Sequence, residues 1–141
     1  MISVNGIEYL KIISMLHSNV ISGGVLYLIS MNDAIAWRQA SNEFDLGIFK
    51  VGDKLSKNSI AGRAMKEKRT LIENVPRSLY GIRLKTVAEP IVDDNGNSVG
   101  AFSIVLPRLH PVAKAFNDFA PIISEMFAEG ALIYVTDLQK I

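Results

Sequence analysis

Two histidines are the residues whose type alone suggests cofactor chemistry. His17 lies in an N-terminal segment with helical spacing, and His110 directly precedes Pro111. A single imidazole can serve as an axial ligand of haem iron, so each histidine is a candidate for that role. An ordinary structural role without haem is favoured for both histidines. His17 lies near a helix C-terminus, where its charge suits the helix dipole, and His110 stands just before a helix start. The cofactor therefore stays unassigned, with haem as a candidate.

A second set of side chains has the chemistry to bind a small anionic molecule. Guanidinium groups bind carboxylates through paired, charge-assisted hydrogen bonds, and aromatic side chains form cavity walls. The candidate ligand-binding residues lie on or beside predicted strands: Tyr27, Trp37, Arg38, Tyr80, Arg83 and Lys85. Two alternatives remain open, since Trp37 also suits a small core and cations at strand edges commonly serve solubility and edge protection.

Catalytic and metal motifs are missing from the chain. The sequence has no glycine-rich phosphate loop of the Walker type, no GxSxG, no HExxH and no cysteine. Asp93 and Asp94 precede Asn95 and Gly96, but a tight hairpin supplies too few convergent oxygens for calcium. We therefore expect no catalytic residue, no metal site and no enzymatic activity.

Composition limits the remaining classes of protein. The 141 residues are 49% hydrophobic and 21% charged, which is enough for one domain with a buried core. A net charge of +1 argues against nucleic acid as a partner. Glu8 and Lys11 interrupt the apolar start, and no apolar run approaches the ~18–20 residues of a membrane span. We expect a cytoplasmic chain without membrane contact.

Hydrophobic spacing predicts an α+β fold with five mostly antiparallel strands and helices on one side. An amphipathic helix over 6–18 would bury Ile7, Leu10, Ile13 and Leu16. Strands follow over 25–30 and 34–40, then a long connection, a helix capped by Ser59, and a strand over 70–75. The Asn95-Gly96 pair between two β-rich runs predicts a hairpin.

The C-terminal part of the sequence repeats features of the N-terminal part. Residues 24–35 align without gaps with 130–141, so residues 1–120 are predicted to form the domain and 121–141 the start of a second, truncated unit. From Pro111 onward the hydrophobic spacing predicts a closing helix. Its apolar stripe is either a dimer or signalling surface or a cover for the sheet, and consists of Val112, Phe116, Phe119, Ile123 and Phe127.

The order of these elements is similar to the PAS-like sensor fold, and residues 23–105 resemble one group within it. The chain resembles the cytoplasmic N-terminal sensor domains of methyl-accepting chemotaxis proteins from Gram-positive anaerobes. The resemblance rests on motifs that follow one another at the family's spacing, namely Val51-Gly52-Asp53, the basic turn 66–69, Val75-Pro76 with Tyr80-Gly81, and 89–100.

This resemblance implies a signal-transduction input module that senses a small molecule and relays the signal through its terminal helices in a homodimer. Organic acids and amino acids are usual stimuli of such receptors, so Arg38, Tyr80, Arg83 and Lys85 become candidates for a carboxylate pocket. The alternative is a ligand-free PAS-like or GAF-like module for dimerisation or spacing. A cavity of a few hundred cubic ångströms would separate these alternatives.

Overall fold

The computed structural model describes residues 1–108, which form one compact unit. The elements are β1 (Ile2–Ser3), α1 (Ile7–Ser18), β2 (Leu26–Met31), β3 (Ala34–Ala40), α2 (Ile60–Glu67), β4 (Leu71–Val75), α3 (Arg77–Tyr80), β5 (Leu84–Val92) and β6 (Ser98–Pro107). The predictions for His110, the domain boundary at 120, the apolar stripe over 112–127 and the repeat over 121–141 lie outside the described residues.

The fold is α+β, with helices packed around one mixed sheet. Five strands pair in an antiparallel manner in the spatial order β4, β5, β6, β2, β3. A sixth strand, β1, was not predicted. It pairs in parallel with Ile91 and Val92 of β5. β4 pairs with an earlier part of β5, residues 84–88.

Local sequence signals explain the turns and the cap of α2. Asn32 and Asp33 form a two-residue hairpin loop and both have positive φ, a conformation that these residue types tolerate. Gly96 also has a positive φ in the turn between β5 and β6. The Ser59 hydroxyl accepts a hydrogen bond from the Gly62 amide at 3.1 Å and so caps α2, as predicted.

Helices cover both faces of the sheet, so the prediction that they lie on one side is wrong. On one face, Leu26, Leu28 and Leu84 pack with residues of the connection between β3 and α2. On the other face, Tyr27 and Phe102 pack against α1 through its residues Ile7 and Leu10. Because β2 is covered on both faces, five of its six residues are buried.

The buried stripe of α1 differs from the predicted one. Ile7 and Leu10 contact the core as expected, but Ile13 and Leu16 are exposed. Ser14 and Ser18 are the buried residues of the helix, and their small side chains let it lie close to the neighbouring structure. The prediction failed because α1 carries apolar residues on two sides, so that its hydrophobic pattern fits two stripes.

Candidate functional site

A cavity of about 220 Å³ lies between the sheet and the layer formed by α2, α3 and the long connection before α2. Its walls are mainly apolar and include Leu28, Leu55, Ile60, Leu84 and Val105. A volume of this size fits a small organic molecule, although it lies below that of most drug-sized ligand sites. The cavity is therefore the candidate binding site in the described part of the chain.

Three hydroxyl side chains form the floor of the cavity. Ser30, Thr86 and Ser103 lie on β2, β5 and β6 and are 2%, 6% and 3% exposed. All three side chains line the cavity. A hydroxyl can both donate and accept a hydrogen bond, so this floor offers donors and acceptors to a bound molecule.

A bidentate ion pair lies at the rim of the cavity and connects α2 to β4. Arg63 Nη2 donates to Glu73 Oε2 at 2.6 Å, and Arg63 Nη1 pairs with the other carboxylate oxygen. Arg63 Nε also donates to the Asn58 carbonyl at 3.1 Å. Arg63 and Glu73 are the two charged side chains that line the cavity, so its lining has no net charge.

The ion pair makes part of the stability dependent on pH. The hydrogen bond from Arg63 holds the pKa of Glu73 below its usual value, with some opposition from burial. A carboxyl with a lowered folded pKa stabilises the fold above its unfolded value of about 4.3 and loses that contribution as the pH falls through the folded pKa. The wild type should therefore lose stability more steeply below about pH 4.5 than Glu73→Gln does.

Urea unfolding of both proteins between pH 3 and 7 measures this difference. The pKa of Asp45 is also lowered, mainly by its hydrogen bond with Arg38. Asp45 is unchanged in Glu73→Gln, so its contribution to the pH dependence is the same in both proteins. Parallel pH profiles for the two proteins would contradict the assignment of Glu73.

An aromatic pair closes one side of the cavity. The rings of Phe49 and Tyr80 lie 5.5 Å apart at an interplanar angle of 58°, which is a tilted arrangement. Phe49 comes from the long connection, and Tyr80 ends α3 with 41% of its surface exposed. This side of the cavity therefore consists of short, irregular segments that can rearrange at less cost than the sheet.

Of the six predicted ligand-binding residues, Tyr80 alone lines the cavity. Tyr27 is buried on the opposite face of the sheet, where its ring stacks on Phe102 at 5.8 Å, and burial raises the pKa of its phenol. Trp37 packs in the same cluster, which agrees with the core alternative. Strand alternation directs both Tyr27 and Trp37 to the α1 face, so neither lines this cavity.

The predicted cations do not converge on a ligand. Arg38 pairs with Asp45 and donates to the Leu46 carbonyl at 3.2 Å, so its charge is compensated within the protein. Arg83 and Lys85 are exposed and do not line the cavity. Of the residues predicted for a carboxylate pocket, Arg38, Tyr80, Arg83 or Lys85, only Tyr80 lines this cavity, because alternation along β5 places Leu84 and Thr86 inward.

His17 does not fit the role of a haem ligand in this cavity. Its Nδ1 is hydrogen-bonded to the Tyr27 hydroxyl, on the α1 face of the sheet. Within residues 1–108, no three histidine, aspartate or glutamate side chains lie close enough together to hold a metal ion. Among the helices described, none has the length and apolar character needed to cross a bilayer.

The sequence analysis missed the hydroxyl floor and the rim pair, although a signal for them was present. Thr86 stands between Leu84 and Ala88, and Ser103 between Ala101 and Val105, at the two-residue spacing of one strand face. Glu73 likewise shares a face with Leu71 and Val75. A small polar or charged residue at an inward position of a predicted strand was the observation that would have identified them.

The chain is similar to a crystal structure described as a sensory box sensor histidine kinase from Vibrio cholerae, at 11% sequence identity and a TM-score of 0.46. The match covers 74% of this chain and 93% of that one. No family model matches the chain. No curated protein matches it either.

Proposed function

We propose that this domain is the input module of a signal transducer and that its cavity binds a small, neutral, mainly apolar molecule. The observation that carries the proposal is the cavity of about 220 Å³ with three hydroxyl side chains on its floor. A bulky residue in place of Ser30, Thr86 or Ser103 would have filled this space. The cavity and its polar floor therefore favour a ligand-binding module over a ligand-free spacer.

The charge of the lining argues for a neutral ligand. Arg63 and Glu73 neutralise each other through two contacts, and a carboxylate ligand would have to compete with Glu73 for the guanidinium. Apolar walls contribute affinity by removing ligand surface from water, and the hydroxyls orient a polar group of the ligand. A compact alcohol, ketone, phenol or amide has this combination of properties.

The signalling context is a further part of the proposal. The resemblance over residues 23–105 supports a cytoplasmic, chemotaxis-type transducer with no catalysis in this domain. A ligand that contacts Ala61 on α2 and Thr86 on β5 would change how that helix packs on the sheet. The terminal helices would relay this change to the rest of the transducer.

Replacing Thr86 with valine tests the hydroxyl floor. Valine keeps the shape of threonine but lacks the buried hydroxyl, so the free protein should gain about 1 kcal/mol of stability. The affinity for a neutral probe such as 2-naphthol should fall about tenfold, because one hydrogen bond to the ligand is lost. Thermal unfolding and isothermal titration calorimetry measure the two effects.

The matched control is Thr70→Val. Thr70 is exposed, and its hydroxyl donates to Glu89 outside the cavity, so this variant should leave 2-naphthol affinity unchanged. Equal affinity of Thr86→Val and the wild type for 2-naphthol would contradict a hydrogen bond between the Thr86 hydroxyl and the ligand.

A ligand that is carried through purification can be detected directly. Native mass spectrometry of the full chain, compared with its denatured mass, would reveal a non-covalent mass that disappears on unfolding. An absorption spectrum from 300 to 700 nm on the same sample tests haem. We expect no Soret band, because the cavity lining in residues 1–108 includes no histidine.

A further inference from the structure

The edge of the sheet formed by β3 is partly covered by other structure. The Ile35 amide of β3 donates to the Asp53 carbonyl of the long connection at 2.9 Å. The Leu55 amide of the connection donates to the Asp33 carbonyl, just before β3, at 2.7 Å. The pairing of β3 with β2 also contains a register shift. Covering loops and bulges, like lysine and proline in the strand itself, protect a sheet edge from the addition of another strand.

Strand β4 lies at the opposite edge and lacks these protections within residues 1–108. It pairs with β5 in continuous register from Leu71 to Val75, and no other strand of the described structure pairs with it. Residues 71–75 include neither lysine nor proline. The one charged residue of β4 is Glu73, which pairs with Arg63 of α2. An edge of this kind presents backbone amides and carbonyls to a further strand.

A hollow of about 570 Å³ follows the edge formed by β4. Its lining includes three consecutive residues of the strand, 71–73. Successive side chains of a strand point to opposite faces of the sheet, so contact with all three places the hollow beside the edge and not on one face. The rest of the lining comes from α2 and the turn after it. We call this hollow the edge groove.

The side chains that line the edge groove carry a net positive charge. Two carboxylates and three cations give a net charge of +1, and they are Glu67, Glu73, Arg63, Lys66 and Arg69. Lys68 adds another cation in the same basic turn. Lys66 and Arg69 are exposed, so they are accessible to the side chains of a bound strand. Charge complementarity therefore favours a partner with acidic side chains.

We infer that the edge groove binds an extended, acidic segment of another protein, which joins the sheet beside β4 as a further strand. Main-chain hydrogen bonds to the edge provide affinity in this mode of recognition, and alternate side chains provide specificity. Leu71 packs with Ala64 of α2, so the adjacent Ile72 lies on the opposite face, where it is 63% exposed. Acidic side chains of the segment thus meet the basic turn on the α2 side, and apolar side chains meet Ile72 on the other side.

A fluorescein-labelled peptide of four Val-Glu repeats tests the inference by fluorescence polarisation with the full chain. We expect saturable binding, and at least about tenfold weaker binding of a peptide of four Val-Lys repeats. Lys66→Glu combined with Arg69→Glu should weaken binding of the Val-Glu peptide by at least about tenfold. The matched control is Lys50→Glu combined with Lys54→Glu, which makes the same change of net charge beside β3 and should leave the affinity within about twofold.

Two outcomes of the polarisation experiment would overturn the inference. The first is no saturable binding of the Val-Glu peptide up to about 1 mM. The second is equal affinity of the two double variants for this peptide, because the attraction would then depend on the overall charge of the chain.

Methylation of the peptide backbone separates strand addition from charge attraction. In an extended strand the amides of alternate residues point to the same side, so methylation of all valine amides or all glutamate amides alters one side only. We expect one of these two peptides to bind at least about tenfold more weakly than the unmethylated peptide and the other to bind nearly as well. Equal loss of affinity in both peptides, or in neither, would overturn the inference.

Hydrogen exchange of the full chain locates the bound peptide. The Val-Glu peptide should slow exchange of amides within 71–75 and leave those within 34–40 unchanged. Slower exchange at β3 instead of β4 would overturn the inference. Exchange at β4 that slows with rising protein concentration in the absence of peptide would assign the edge to a second copy of the chain, and would overturn the inference as well.

Discussion

Gly100→Ala is expected to destabilise the domain by at least about 3 kcal/mol and to lower its melting temperature by more than ~10 °C. Gly100 lies in β6, opposite Met31 of β2 and Ile91 of β5. A methyl group at this position would collide with the Ser30 carbonyl oxygen and the Met31 sulfur. Because a backbone atom is involved, relief requires movement of β2 rather than rotation of a side chain.

The consequence for the site follows from the position of Ser30. Its side chain belongs to the cavity floor, so a displaced β2 also displaces a candidate ligand contact. Gly100→Ala should therefore weaken 2-naphthol binding even at temperatures where the variant is still folded.

Gly47→Ala is the matched control for this prediction. An added methyl at Gly47 meets nothing within 4 Å, and its φ is not positive, so we expect no loss and up to about 1 kcal/mol of gain from the stiffer unfolded chain. Urea unfolding of the three proteins measures the difference. Equal stability of Gly100→Ala and Gly47→Ala would contradict the close approach of β2 and β6.

Ser103→Leu should reduce the affinity for 2-naphthol by about 100-fold while the domain stays folded. Ser103 is buried on the central strand β6, and its side chain lines the cavity. A leucine would occupy existing space and contact Leu28 and Val105, which line the same cavity. Filling a cavity with an apolar side chain usually maintains or raises stability, so loss of binding would be separable from loss of the fold.

Thr70→Leu is the control of comparable size for Ser103→Leu. Thr70 lies on the surface before β4, so the added bulk should leave binding unchanged. Calorimetric titration and thermal unfolding are made on the same samples. Unaltered affinity in Ser103→Leu would place the probe outside the cavity and contradict the proposed site.

Local chemistry made much of the fold predictable. The cap at Ser59, the turn at Asn95 and Gly96, and the hairpin after Met31 each depend on residues next to one another in the chain. Their predicted positions are confirmed to within a residue or two, which is the usual scatter of element boundaries. The long connection between β3 and α2 was also expected from its scattered glycine and aspartate residues.

The orientation of α1 depends on a competition that the sequence alone does not resolve. Ile7 and Leu10 fit either of two stripes, and the buried one is completed by Ser14 and Ser18 instead of Ile13 and Leu16. Serines are poor indicators of a core in hydrophobic patterns, yet their small size allows close packing. The prediction therefore assigned the wrong pair of residues to the buried side.

The candidate site was predicted poorly for a related reason. The sequence analysis gave most weight to cations and aromatic residues, but the structure places Arg83 and Lys85 in solvent and Trp37 on the other face. The residues that shape the cavity include Ser30 and Ser103, which matter because their side chains line it. Ser103 stands at the two-residue spacing of the inward face of β6, but small hydroxyl residues were given no weight as candidate contacts.

Nuclear magnetic resonance titration of the full chain with 2-naphthol, and in parallel with anionic 2-naphthoate, tests the central claim most directly. The proposed site predicts saturable shifts at the amides of Ser30, Thr86 and Ser103 with the neutral probe, and at least about tenfold weaker binding of the anion. Absence of shifts at these amides up to the solubility limit of 2-naphthol, or tighter binding of 2-naphthoate, would contradict a cavity that takes a neutral ligand.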